Sequence, residues 1–214
     1  MGRSLPFRLI LASGSRDRRR LLAEAGYQFE VIPANIDEPT EAQFGSCRQY
    51  VQQVSWLKAA AVAPQFSDGL ILSADTVGWA HGRVIGKPAD AEDARRILTM
   101  LGGDVHELWT GVTFWKRPED WQLCWQEMTK VSVRKMNDEE MNAYLATNKW
   151  VGASGAYAIE GPHDPIVRVV EGSLTNVIGL PMESLERCLD AAIRLTNSRP
   201  DPTATPRDGP GRCG

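Results

Sequence analysis

The chain has 214 residues, 43% of them apolar and 24% charged, with 27 acidic against 24 basic side chains and a formal net charge of −3. This length fits one domain that buries roughly 70% of its unfolded surface without a metal or disulfide staple. The charge argues against a dedicated duplex binder held by phosphate contacts, while leaving room for a local basic pocket. No apolar run approaches a membrane span, and Met1–Pro6 leads into the strand-like Phe7–Ala12 with no long apolar core or cleavage site, so no signal peptide is expected. Cys47, Cys124, Cys188 and Cys213 show neither CxxC nor zinc-ligand spacing and read as reduced thiols of a cytoplasmic protein.

Taken in chain order, Arg8–Ala12 predicts a short buried strand, Ser13-Gly14-Ser15 a loop with capping chemistry, and Arg16–Ala25 a helix stopped by Gly26. Phe29–Pro33 is extended and Asn35–Thr40 is a polar loop holding Asp37-Glu38. Ser46–Ala63 is the clearest helix, with Cys47, Tyr50, Val51, Val54, Leu57 and Ala61 as its apolar stripe and Lys58 at the stripe's edge, where it must reach water or meet an anion. Leu70–Trp79 predicts a strand that turns at His81-Gly82 into Arg83–Ile85. Asp90 caps a helix that presents Ala94, Ile97, Leu98 and Leu101 on one face and ends at Gly102-Gly103. Val105–Trp115 and Trp121–Lys135 predict two long strands, with Trp115, Trp121 and Trp125 as a cross-strand aromatic patch near the turn. Asp138–Thr147 is a short helix, Gly152–Gly161 a small-residue segment around Tyr157, and Ile166–Val170 with Leu174–Gly179 a further hairpin. A last helix lies within Leu180–Thr196. The expected organisation is one domain over residues 1–196 and a disordered tail over 197–214, rich in Pro, Asp, Gly, Thr and Arg.

Four polar segments interrupt this pattern. Ser13–Arg20 places serines and four arginines between a strand and a helix start, the setting of an anion site, although a solvated helix face has the same composition. Asp37-Glu38 is an acidic pair in a loop, with an ordinary loop as the plain alternative. Ser73-Ala74-Asp75-Thr76 follows directly on the apolar run Leu70–Leu72, and a carboxylate at the end of a buried strand suits metal binding or proton abstraction as well as a turn cap. Lys87 is fixed between Gly86 and Pro88, which aims a cation or merely turns the chain. Together these are the parts for phosphoryl chemistry on a nucleotide; no Walker A and no GxGxxG is present.

The ordered series Leu11-Ala-Ser-Gly-Ser15, Arg18, Leu21-Leu22, Asp37-Glu38, Lys58-Ala59, Ala74-Asp75-Thr76, Gly86-Lys87-Pro88-Ala-Asp90, Leu101-Gly-Gly, His106, Thr110-Gly111-Val112, Gly155–Gly161, Gly172-Ser173 and Gly179-Leu180-Pro181 resembles the Maf family of nucleoside triphosphate pyrophosphatases. The resemblance covers roughly residues 8 to 190. It implies an α/β fold, a mixed twisted sheet with flanking helices and two lobes around a cleft, similar to inosine triphosphate pyrophosphatases. It implies hydrolysis of a non-standard, modified or pyrimidine nucleoside triphosphate to the monophosphate and pyrophosphate, a divalent Mg²⁺ or Mn²⁺, a cytoplasmic location and a link to cell-division arrest; charge and hydropathy add the expectation of no stable nucleic-acid partner and no membrane, with room for a homodimer.

By the same resemblance Asp75 matches the proton acceptor, Glu38 a metal ligand beside Asp75, and Lys58 and Lys87 phosphate-contacting lysines. Ser13, Ser15 and Arg18 match the triphosphate loop, and Thr76 and Glu160 positions that tune base choice. Two residues depart from the family pattern. Asp17 stands where an arginine is usual, which raises the alternative of an impaired nucleotide-binding regulator of division or septum formation. Glu160 stands where members favouring thymidine or uridine triphosphates carry Gln, and a carboxylate suits the paired N–H donors of guanine. Tyr157-Ala158-Ile159 is nearer the pyrimidine type, so base choice stays open with a lean to a modified guanine.

Overall fold

Leu9–Leu11 are apolar without alternation, as a strand covered on both faces must be, and they form a fully buried strand, β1. The computed structural model describes residues 3–197. β1 lies between two parallel neighbours, β2 (Glu30–Val31) and the first half of β3 (Gly69–Ala80), with Leu9, Ile10 and Leu11 beside Leu70, Ile71 and Leu72. At His81-Gly82, both with positive φ (51° and 75°), the chain turns back into β4 (Arg83–Ile85), the left-handed two-residue turn that suits strand twist. The long antiparallel strands β5 (Val105–Arg117) and β6 (Gln122–Val133) and the shorter β7 (Val167–Glu171) complete a seven-stranded mixed sheet, ordered β2-β1-β3-β5-β6-β7 with β4 on β3.

Helices cover the sheet: α1 (Arg16–Glu24), α2 (Cys47–Val62), α3 (Ala91–Leu101), α4 (Asp138–Ala146), α5 (Leu174–Ile178) and α6 (Met182–Asn197). Because side chains alternate along a strand, β1 and β3 divide their apolar residues. Leu9, Leu11, Leu70 and Leu72 pack with Leu22 of α1 and Leu185 and Leu189 of α6. Ile10 and Ile71 pack with Ala59 and Val62 of α2. A separate cluster joins α3, α4 and α5 to Leu108, Val131 and Val133. No helix of the described residues is long and apolar enough to cross a membrane.

Three expectations are corrected. Leu174–Gly179 is a short helix with its C-terminal cap, not the second arm of a hairpin. Ser173 Oγ accepts the Asn176 N–H at 3.2 Å as a cap, and Leu174, Val177 and Ile178, at helical spacing, all reach one core cluster, whereas a strand would turn Leu174 and Val177 to opposite faces. The tryptophans form no common patch: Trp115 packs on Trp56 of α2 (centroids 5.7 Å apart), while Trp125 meets Phe114 edge-on on the other face with Trp121 near it. The α2 stripe continues through Ser55, Ala59 and Val62, leaving Leu57 half-buried and Ala61 exposed. The expected tail over 197–214 lies, from residue 198 on, outside the described residues, as does Cys213.

That drift of the stripe follows from how closely α2 approaches β5. A Cβ on Gly111 would overlap the Val51 carbonyl, so the helix backbone rests directly on the strand. Gly111→Ala is expected to cost about 1–3 kcal/mol through overpacking and to push α2, with Lys58, away from β3. Urea unfolding checks it; a variant as stable as the parent would mean that α2 has room to slide.

Candidate active site

The sheet positions a cleft of about 580 Å³ at the C-terminal end of β1. Its walls are the loop from Ala12 into α1, residues 33–38, Lys58, Thr76 of β3, Lys87 after β4, the segment 151–159, and Val177–Gly179 at the end of α5. Open parallel strands leave such a crevice where the chain departs the sheet on either side.

Ala12 makes the last sheet hydrogen bond of β1, to the Leu72 carbonyl at 2.7 Å. Ser13 Oγ then accepts the Ser15 N–H at 3.3 Å, and Ser15 Oγ caps α1 by accepting the Arg18 N–H at 3.4 Å. The first residues of α1 therefore open on the cleft, presenting the positive end of a helix to an anion. Arg16 and Lys87, both exposed, line the same space. Asp17 also lines it and accepts from Arg20 Nη2 at 3.5 Å.

Arg18 lines the cleft, and its donors are held by the protein around it. Its guanidinium is buried and bonds to the protein: Nε to the Gly179 carbonyl at 2.8 Å, Nη1 to Ser13 Oγ at 3.0 Å, Nη2 to Thr76 Oγ1 at 3.2 Å. Thr76 Oγ1 in turn meets Thr110 Oγ1 at 2.9 Å. One side chain thus ties the serine loop, β3 and the end of α5 together. Burial pushes its pKa down, opposed by the negative charge of Asp75, Glu38 and Asp17, so all three carboxylates act on one buried cation.

Lys58 meets the anion that its place on α2 demanded, and in fact two. Its ammonium donates to Asp75 Oδ1 at 2.7 Å and pairs with Glu38 Oε1 at 2.8 Å. Asp75 is only 6% exposed, and its second oxygen, Oδ2, is buried without a hydrogen-bond partner. Among the described residues no three His, Cys, Asp or Glu side chains form a metal-holding group. Two carboxylates, one with an unpartnered oxygen, fit a hard cation that completes its shell from substrate phosphates and water rather than from an all-protein cage.

The structure therefore gathers Ser13, Ser15, Arg18, Glu38, Lys58, Thr76 and Lys87 around one cleft, with Asp75 held against it by Lys58. Glu160 is placed apart: Ala158 and Ile159 line the cleft, but Glu160 is exposed and its carboxylate pairs with Lys149 at 2.6 Å.

Sequence reasoning missed His106 and Tyr157 as a unit. His106 Nε2 lies 2.7 Å from the Tyr157 hydroxyl, both side chains are buried, and Tyr157 lines the cleft. The signal was available in β5, where His106 alternates inward with Leu108, Thr110 and Val112. Burial, then the charge of His81, pushes His106 down to about 4 from its ordinary 6.5. Because the folded pKa is the lower one, the unfolded chain takes the proton first. Stability should fall as pH drops from about 6.5 to about 4, by roughly 3 kcal/mol in all. Urea midpoints at pH 7, 5 and 4 should show this slope, and His106→Asn should flatten it; equal slopes would remove His106 from the acid response.

The Maf-like protein family model matches residues 8–192. The chain belongs to the Maf family. This Maf chain is 41% identical over 191 residues to a protein of Anaeromyxobacter sp. (strain Fw109-5), covering 88% of this chain and 91% of that one. It is 40% identical to a protein of Citrifermentans bemidjiense (81% and 90% covered) and 38% identical to one of Elusimicrobium minutum (85% and 97%). All three relatives are named dTTP/UTP pyrophosphatase. With matches over most of both chains, this Maf chain is an enzyme of the acid-anhydride hydrolase class.

Proposed function

We propose that the chain hydrolyses nucleoside triphosphates to the monophosphate and pyrophosphate, with dTTP and UTP as its substrates. The observation that carries the reading is Lys58 bonding both Asp75 and Glu38 beside a cleft that the N-terminus of α1 also lines. Carboxylates and anion donors thus border one space, the combination that a metal-bound triphosphate requires. The pyrimidine preference follows the relatives' names and replaces the lean to a modified guanine, because the carboxylate that motivated it is engaged by Lys149.

Asp75 supplies the base. Lys58 fixes Oδ1, so the unpartnered Oδ2 is the oxygen left to take a proton from water as that water attacks the α-phosphorus. The bond from the α-phosphorus to the bridging oxygen breaks and pyrophosphate departs. The charge that develops on it is met by Arg16, Lys87 and the N–H groups opening α1. Ser13 and Ser15 shape that loop, and Arg18 holds it to Thr76 and Gly179 rather than contacting phosphate itself. Glu38 and Asp75, the latter through the oxygen that is not the base, would hold a divalent Mg²⁺ or Mn²⁺, which supplies charge neutralisation on the phosphate oxygens when bound.

The alternative of an impaired regulator rested on Asp17. Its carboxylate lies beside Arg20, and Arg16 and Lys87 still face the cleft, so the acid does not empty the site of cations. Pyrophosphate release from a panel of dTTP, UTP, dCTP, dGTP and 7-methylguanosine triphosphate, with Mg²⁺ or Mn²⁺, tests the proposal. Release from none of them would sink it, and release from 7-methylguanosine triphosphate alone would overturn the pyrimidine assignment.

A further inference from the structure

Glu160 pairs with Lys149 outside the cleft lining, which leaves the side chains that do line the cleft as further candidates for base choice. Its polar lining includes the serine loop, Arg16, Glu38, Lys58, Thr76 and Lys87; its apolar lining includes Leu108, Tyr157, Ile159, Val177 and Ile178. Tyr157 is the one of these five with a polar group, and it is held from three directions. Its hydroxyl is 2.7 Å from His106 Nε2, and its ring meets the His106 ring edge to face, centroids 5.6 Å apart at 70°. The backbone before it is left-handed at Gly155 (φ 79°) and Ala156 (φ 62°), and a Cβ on Gly155 would stand 2.8 Å from the tyrosine ring. The segment itself is anchored by Ser154 Oγ to the Thr76 carbonyl and by the Gly155 N–H to the Gly86 carbonyl, each at 3.1 Å.

His106 sits on β5 two residues before Leu108, so its bond to Tyr157 ties one apolar wall of the cleft to another. The cost is visible: His106 Nδ1 is buried without a partner. A ring kept only to fill the core would pack as well without two nitrogens, and an unsatisfied buried polar atom marks a place where local stability has been given up.

We propose that His106 is a positioning residue that, through Tyr157, fixes the width of the apolar end of the cleft and so discriminates a one-ring base from a two-ring base. This rests on the pyrimidine triphosphate reading above. A tyrosine free to tilt admits a purine; one bonded to a buried imidazole, and pressed on a left-handed glycine, does not.

Tyr157→Phe keeps the ring and removes the bond to His106. The expected result is a fall of about tenfold in the ratio of kcat/KM for dTTP to that for dGTP, within the usual range for steric discrimination of small groups. The change should fall on KM rather than kcat, and inhibition by inorganic tripolyphosphate, which has no base, should keep its strength. His106→Asn should shift the ratio the same way, and His106→Gln, whose amide reaches further toward Tyr157, should recover part of it. An unchanged ratio in Tyr157→Phe overturns the proposal while leaving the function intact. So does an equal loss for both nucleotides or a weakened tripolyphosphate inhibition, since either makes the pair a support of the fold alone. Absence of dTTP turnover in the unsubstituted protein overturns the functional reading itself, and this inference with it.

Discussion

Asp75→Asn is expected to lose turnover by at least 10²-fold, and up to about 10⁴-fold, while still binding nucleotide. The replacement is nearly isosteric, and its amide oxygen can still accept the Lys58 ammonium that Oδ1 accepts at 2.7 Å. What it loses is the charge on the partnerless Oδ2 and with it the capacity to take a proton. The anion donors of the α1 N-terminus, Arg16 and Lys87 are untouched, so docking of the triphosphate should survive. Steady-state pyrophosphate release and equilibrium titration with dTTP separate the two effects. A kcat within a few fold of the parent's would show that Asp75 is not the base.

Lys58→Met has the second large effect, on both activity and stability. The ammonium lies between Asp75 and Glu38, at 2.7 and 2.8 Å, and the Lys58 and Asp75 side chains are only 13% and 9% exposed. Removing one partner of a buried pair typically costs about 3–5 kcal/mol. The true figure should lie at the lower end, because Glu38 is 44% exposed and water can reach it. Methionine restores much of the stem volume, so the loss reports on charge rather than on a cavity. Two carboxylates left facing each other are also a better cation site than the pair that Lys58 holds. Mg²⁺ should therefore raise the melting temperature of Lys58→Met more than that of the parent. Equal Mg²⁺ effects on the two proteins would argue against Glu38 and Asp75 sharing an ion.

The elements with strong period or strong punctuation were legible in the amino-acid sequence. The buried run Leu70–Ala74, the Asp90 cap and the His81-Gly82 turn each carry their information locally, in alternation, capping chemistry or tolerance of positive φ. The Leu174–Ile178 helix was not legible, because five residues between two turn signals satisfy both periods. Only the common burial of Leu174, Val177 and Ile178 decides between them.

The site divides the same way. Through the family resemblance, residue types and their order named Ser13, Ser15, Glu38, Lys58, Asp75, Thr76 and Lys87 as candidates, and the structure gathers them around one cleft, with Asp75 held against it by Lys58. The inward bonds of Arg18 were not available from type, because an arginine in a basic run looks alike whether or not it also bonds Ser13, Thr76 and Gly179. Glu160 shows the matching limit: a carboxylate beside the cleft-lining Ala158 and Ile159 has the position to read a base, and only the structure shows it exposed and paired with Lys149.

The sequence by itself determined the mixed α/β character, the family and the inventory of charged and hydroxyl groups, because these depend on periodicity and on short-range order along the chain. Tertiary structure alone decided which charges are shared and which stay free: Lys58 between Asp75 and Glu38, Arg18 turned inward, Glu160 drawn to Lys149, and His106 bonded to Tyr157 across 51 residues. Those choices turn on distances of a few ångströms between segments far apart in sequence. For Lys58 the setting is the close approach of α2 to Gly111, and for Tyr157 it is the backbone through Gly155 that precedes it.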